Sequence, residues 1–113
     1  MDNEVILMQF FKSENSRDWE KYQSYLHPDI EWVLFFSNGQ QSFSGIAAYM
    51  DKIKAAYRES DITFFCKEMI VSADGNRVVA VLENSHGEIS VDIFDFMHGQ
   101  IIKEYEYLMN GIS

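Results

Sequence analysis

Residues 88–109 read EISVDIFDFMHGQIIKEYEYLM. Two extended runs flank a tight turn at His98-Gly99. In the first run Val91 and Ile93 alternate with Asp92, Phe94 and Phe96. In the second, Ile102, Glu104, Glu106 and Leu108 alternate with Ile101, Lys103, Tyr105 and Tyr107. Successive side chains of a strand point to opposite faces, so each run presents two surfaces. Acids recur on both runs among apolar and aromatic neighbours. An acid on a covered face must be hydrogen-bonded, held protonated, or used chemically. Which face is covered therefore decides both the architecture and the location of any site.

Working outward, residues 62–72 and 77–84 continue the strand pattern, separated by the turn signals Asp74-Gly75-Asn76 and Ser85-His86-Gly87. Earlier, Asp29 to Ser37 (DIEWVLFFS) reads as another strand, followed by a turn at Ser37-Asn38-Gly39 and a short extension at 41–43. Residues 45–59 carry Ile46, Tyr49, Met50, Ile53 and Tyr57 at helical spacing. Residues 3–13 form a first helix, with Val5, Ile6, Met8 and Phe10 on its apolar face. A short second helix is expected with Ser16 as its N-cap, closed by Pro28. The order is helix, short helix, strand, helix, then four antiparallel strands, which argues an α+β fold with helices on one sheet face.

The 113 residues suffice for one domain spanning 1–113. With 47% hydrophobic and 15% aromatic residues, the chain is not disordered. A net charge of −9 disfavours nucleic acid and anionic membrane surfaces as partners. A single cysteine, Cys66, fits a reducing compartment and a cytoplasmic location. The opening MDNEVILMQFF is acidic and does not read as a signal peptide, and no apolar run is long enough to span a bilayer. His27, His86 and His98 lack metal-ligand spacing, and no glycine loop for a phosphate is present, so no metal or cofactor is expected.

The pattern DWEKYQSYLHPDIEW, then Ser44-Gly45 opening a helix, then VDIFDFMHGQIIKEYEY, resembles the nuclear-transport-factor-2-like superfamily, and within it the SnoaL-like branch of polyketide cyclases and ketosteroid-isomerase relatives. The resemblance covers nearly the whole chain. It implies a cystatin-like α+β roll, in which a cone-shaped, curved antiparallel sheet wraps round N-terminal helices. It also implies a hydrophobic conical pocket and dimers formed through the outer sheet face.

Catalytic positions carry over one at a time. The tyrosine that donates to the oxyanion in ketosteroid isomerases corresponds to Phe10, and their general base to Leu34 or Phe36. Their second oxyanion donor corresponds to Asp92. The arginine and first aspartate of the limonene-epoxide-hydrolase set correspond to Val78 and Ala80, and the last aspartate to Glu106. The Glu-His-Trp-Asp-like ending of SnoaL-like cyclases becomes Lys103, Glu104, Tyr105, Glu106. The resemblance thus keeps acids at Asp92 and Glu106 and loses the groups that usually work beside them.

It also implies that Asp92, Phe94, Phe96, Glu104, Glu106 and Leu108 face the cavity. Glu106 is the candidate acid–base, Asp92 its donor or partner, and His86 an auxiliary. The alternative is that the acids sit solvated at the mouth or pair with Lys67, Lys103 or Arg77, and that His86 is a turn residue. Phe10, Trp32, Leu34, Phe36 and Tyr49 complete the candidate lining for a small apolar ligand. Phe35, Phe65, Met69, Ile93, Tyr105 and Tyr107 are assigned to the outer face and call for a second copy. Three functions stay open: an acid–base enzyme on a carbonyl or polyketide-like compound, a non-catalytic carrier or sensor, and a dimeric interaction module.

Overall fold

In chain order the elements are α1 (Asn3–Asn15), α2 (Trp19–Ser24), β1 (Leu26–Phe36), β2 (Gly39–Ser44), α3 (Ile46–Ala56), β3 (Phe64–Val71), β4 (Arg77–Asn84), β5 (Ile89–Met97) and β6 (Gln100–Met109). The structure, a computed structural model, describes residues 2–109. The stretch Asn110-Gly111-Ile112-Ser113, which reads in sequence as a frayed end, lies outside those residues. The strands form one curved, unclosed sheet in the order β2-β1-β6-β5-β4-β3. The architecture is α+β, with the three helices packed on one sheet face.

The closing hairpin turns through His98 (φ 51°) and Gly99 (φ 77°). Positive φ at both central residues makes a two-residue turn whose twist matches that of the flanking strands. β5 then pairs with β6 antiparallel, but the register shifts after Phe96↔Ile101, so that Asp95 faces Lys103. Ile102 is the extra residue. This bulge corrects the alternation expected from sequence. Ile101 is fully buried, where strict alternation set it on the face opposite Glu104 and Glu106.

One strand pair also departs from an all-antiparallel sheet, because β1 runs parallel to β6. The two are far apart in sequence, so no tight turn dictates their relative direction. Pro28 lies inside β1 rather than closing a helix, where the ladder is interrupted between Leu26 and Glu31. The N-cap of α2 is Asp18, whose carboxylate accepts from the Lys21 N–H at 3.2 Å, and not Ser16.

The core combines Leu7, Phe10 and Phe11 of α1, Tyr49, Met50 and Ile53 of α3, and inward strand residues such as Ile30, Val78, Ala80 and Phe94. Val5 and Met8 are exposed, since α1 meets the sheet along the 7/10/11 stripe instead. A second bulge, between Cys66 and Glu68, turns Met69 inward against the core and leaves Ile70 outward. Met69 therefore does not belong to the outer face.

Candidate functional site

Between the sheet and the helices lies a cavity of about 860 Å³. The register of the central strands gathers three carboxylates on its wall. Asp92 stands directly opposite Glu106 across β5 and β6, and Glu104 lies opposite Phe94. On the other side of β6, Trp32 pairs with Glu104 and Leu34 with Glu106. Carboxylate oxygens of Asp92, Glu104 and Glu106 lie within 4.8 Å of one another. Asp92 and Glu104 are only 4% and 5% exposed.

Hydrogen bonds reach this cluster unevenly. The Tyr49 hydroxyl donates to Glu104 Oε1 at 2.5 Å, and the Tyr22 hydroxyl lies 2.9 Å from that of Tyr49. Asp92 Oδ1 is buried with no hydrogen-bond partner among the described residues, and so is Trp32 Nε1. Neither surface ion pair touches the cluster: Lys67 pairs with Glu83 and Arg77 with Asp95.

Burial dominates the electrostatics. Loss of water pushes Asp92 and Glu104 well above the ordinary carboxylate range, and the charge of Glu106 pushes each further. Glu106 is raised to about 7 by burial, and the nearby Trp32 N–H opposes the rise by its dipole without closing a hydrogen bond. Like charges this close cannot all ionise, so the cluster holds protons near neutral pH. Burial also holds Tyr22 and Tyr49 well above the ordinary phenol value, so both remain donors.

A fourth carboxyl, Glu14 of α1, lines the same cavity. Burial raises it to about 7, against the opposing effect of a hydrogen bond from the Tyr57 hydroxyl. Tyr57 is itself held by Arg17, whose guanidinium stacks 4.1 Å from the ring centre. The same guanidinium donates to the carbonyls of Ser60 (2.9 Å) and Ile62 (2.6 Å). A strap from the α1–α2 corner to the segment after α3 thus fixes the donor to Glu14.

Comparison with known proteins places this arrangement. The model of the SnoaL-like domain matches residues 7–104. The chain belongs to the SnoaL-like family. Among solved structures it is similar to Bal32a from a soil-derived mobile gene cassette, with a TM-score of 0.80 and 18% identity over 92% of this chain and 86% of that one. It is similar to a SnoaL-like protein of unknown function from Burkholderia thailandensis (0.79; 13%; 94% and 93%). It is also similar to SalBIII, an epoxide hydrolase/cyclase-like enzyme of pyran ring formation in the polyether salinomycin (0.77; 15%; 95% and 90%). No functionally curated protein matches in sequence. At these identities the structural neighbours establish the fold, which in this family carries many chemistries.

Within this SnoaL-like domain the candidate residues fall into three groups. Asp92, Glu104, Glu106, Phe10, Trp32, Leu34, Phe36, Phe94 and Leu108 all line the cavity. Tyr49 and Phe96 do not. Both are buried in the packed core, and Tyr49 reaches the cluster only through its hydroxyl. His86 lies on the rim in the exposed β4–β5 turn, where its backbone N–H donates to Asn84. No contact joins it to Asp92 among the described residues. Glu14 falls just outside the helical run 3–13 that the sequence pattern marks, although it follows Leu7, Phe10 and Phe11 on the buried stripe, seven, four and three residues on.

Proposed function

We propose that this SnoaL-like domain binds a small, largely apolar molecule in the cavity and performs acid–base chemistry on a carbonyl or polyketide-like compound there. The observation that carries the proposal is the convergence of two buried carboxyl groups and one half-buried one, with an Asp92 oxygen unpaired among the described residues, on an aromatic-walled cavity. A carboxylic acid kept neutral by burial can donate to a developing oxyanion, while an ionised neighbour accepts a proton from carbon. Glu106, with a proton affinity near neutrality, fits the exchanging acid–base, and Asp92 the donor. His86, exposed at the rim, is at most an auxiliary proton exchanger with solvent.

A direct test uses α-tetralone in deuterated buffer, with NMR reading exchange of the protons next to the carbonyl. The wild type should accelerate exchange, and Glu106→Gln should lose at least ten-fold of that acceleration. Binding without exchange supports the carrier alternative, for which the apolar residues Phe10, Leu34, Val78 and Ala80 already speak. Absence of both binding and exchange removes the proposal.

We also propose a homodimer through the outer sheet face. Phe35 stacks on Tyr107 there at 4.4 Å between ring centres, and Phe65 and Ile70 are 56% and 57% exposed. Helices cover only the opposite face, and a second sheet is a fitting cover for an apolar one. Light scattering at micromolar concentration should give twice the chain mass, and a monomer alone refutes it.

A further inference from the structure

The cavity wall is strongly biased in charge. Glu14, Glu88, Asp92, Glu104 and Glu106 contribute carboxyl groups to it, against one ammonium, that of Lys52. An anionic ligand would be repelled once any of these acids ionises. A neutral ligand would leave the bias unused. We propose that the molecule held here carries a protonated primary amine on its apolar body, with the ammonium seated among Asp92, Glu104 and Glu106. This rests only on the part of the reading above by which the cavity holds a small molecule, and it names what kind; with an ammonium seated, Asp92 and Glu106 are acceptors and do not serve a carbonyl as donor and acid–base.

Geometry is the first support. An ammonium has three N–H donors spread at the tetrahedral angle. Charge-assisted bonds of about 2.8 Å to three acceptors place those acceptors about 4.6 Å apart. The three carboxylate oxygens lie within 4.8 Å of one another. Asp92 Oδ1 is buried and has no partner among the described residues, so the site already contains an acceptor that an incoming donor would satisfy. A divalent metal fits less well, because Mg²⁺ and Ca²⁺ require six or more oxygens, whereas rings of Phe10, Tyr22, Trp32 and Phe94 share this wall. Those rings suit an organic cation, through their faces for the charge and their area for the hydrocarbon.

Proton linkage is the second support. The groups facing the cluster are Glu14 from α1, Tyr22 from α2, Tyr49 from α3 and Tyr57 at the α3 C-cap, with Arg17 behind Glu14 and Lys52, His86 and the exposed Glu88 also on the wall. Burial makes the cluster hold protons when empty. An entering ammonium favours the ionised carboxylates, so protons leave as it binds. Affinity should therefore rise with pH through about 7 and fall in acid.

The test is calorimetric titration of the full chain with four probes of one shape: 1-adamantanamine, 1-adamantanol, 2-adamantanone and 1-adamantanecarboxylate, at pH 5.5 and 8. The amine should bind at least ten-fold more tightly than the alcohol or ketone at pH 8, with the margin shrinking at pH 5.5. Its apparent enthalpy should change with the ionisation heat of the buffer, and the carboxylate should not bind. Asp92→Asn, or Glu106→Gln as a second variant, should weaken the amine at least ten-fold more than it weakens the alcohol. A ketone or alcohol that binds as tightly as the amine overturns the amine assignment and leaves the carbonyl reading standing. Failure of all four probes overturns both. Amine binding that neither variant weakens, or that millimolar Ca²⁺ abolishes while itself binding to the cluster, also overturns it.

Discussion

Glu106→Gln should stabilise the protein, and only above a definable pH. Burial raises Glu106 from 4.5 to about 7 in the folded chain. Each pKa unit is worth about 1.4 kcal/mol, so the folded state forfeits about 3 kcal/mol once the group must ionise. Because the folded value lies above the unfolded one, the loss begins near pH 4.5, grows through pH 7 and is complete near pH 8. Glutamine keeps the shape and removes the titration. Below pH 4.5 wild type and variant should have similar unfolding free energies. At pH 8.5 the variant should be more stable by about 3 kcal/mol, or roughly 10 °C in Tm for a domain of this length. Asp92 and Glu104 titrate beside it, and loss of the Glu106 charge eases both, which adds to the difference at high pH. Urea unfolding from pH 4 to 9, followed by the fluorescence of Trp19 and Trp32 at one protein concentration, measures this. Wild-type and variant curves that stay parallel across the range would show that water reaches Glu106 freely, and the reasoning would be wrong.

Three further outcomes follow from neighbouring contacts. Tyr49→Phe removes the donor to Glu104 and should cost about 1–3 kcal/mol, with the larger cost above pH 7 where Glu104 is asked to ionise; the same urea series reads it. Gly45→Ala should cost about 1–3 kcal/mol in chemical denaturation, because φ 88° and ψ 154° is a conformation essentially restricted to glycine. Arg17→Ala should lower stability by about 2–3 kcal/mol through loss of its charge-assisted bonds to the Ser60 and Ile62 carbonyls and its stacking on Tyr57, measured by thermal melting.

The sequence carried the architecture well where local rules govern it. Alternation and a glycine turn define β5 and β6, and the bounds of β4 follow from RVVAVLEN. It carried less where tertiary pairing decides. Nothing local says that β1 runs parallel to β6, and bulges at Ile102 and near Lys67 shift registers that a strict period of two cannot express. Met69 and Ile101 changed faces for this reason. At the site, the acids of β5 and β6 were visible as charges in apolar strands. Glu14 was not, since it lies one residue beyond the apolar run 3–13 that marks the first helix. Tyr57 was seen as a helix-face residue, but its hydroxyl bond to Glu14 depends on Arg17 crossing to a distant loop, which no periodicity encodes.

The closing hairpin puts two acids directly across from each other, and that is an expensive choice for a small domain. Like charges opposite one another on neighbouring strands destabilise a sheet, and burial adds the cost of removing their water. Among the described residues no salt bridge offsets it, and Asp92 leaves an oxygen without a partner. Apolar residues of similar size at 92 and 106 would continue the core that Phe94, Ala80 and Val78 already begin. Packing therefore gives no reason for this pair. A group that enters the cavity does, because a donor or cation placed between Asp92 and Glu106 turns repulsion into two charge-assisted hydrogen bonds. On that account occupied protein should resist unfolding most in the pH range where empty protein resists it least. A ligand whose stabilising effect grows from pH 5.5 to pH 8, in wild type but not in Glu106→Gln, would connect the cost of the fold to its use.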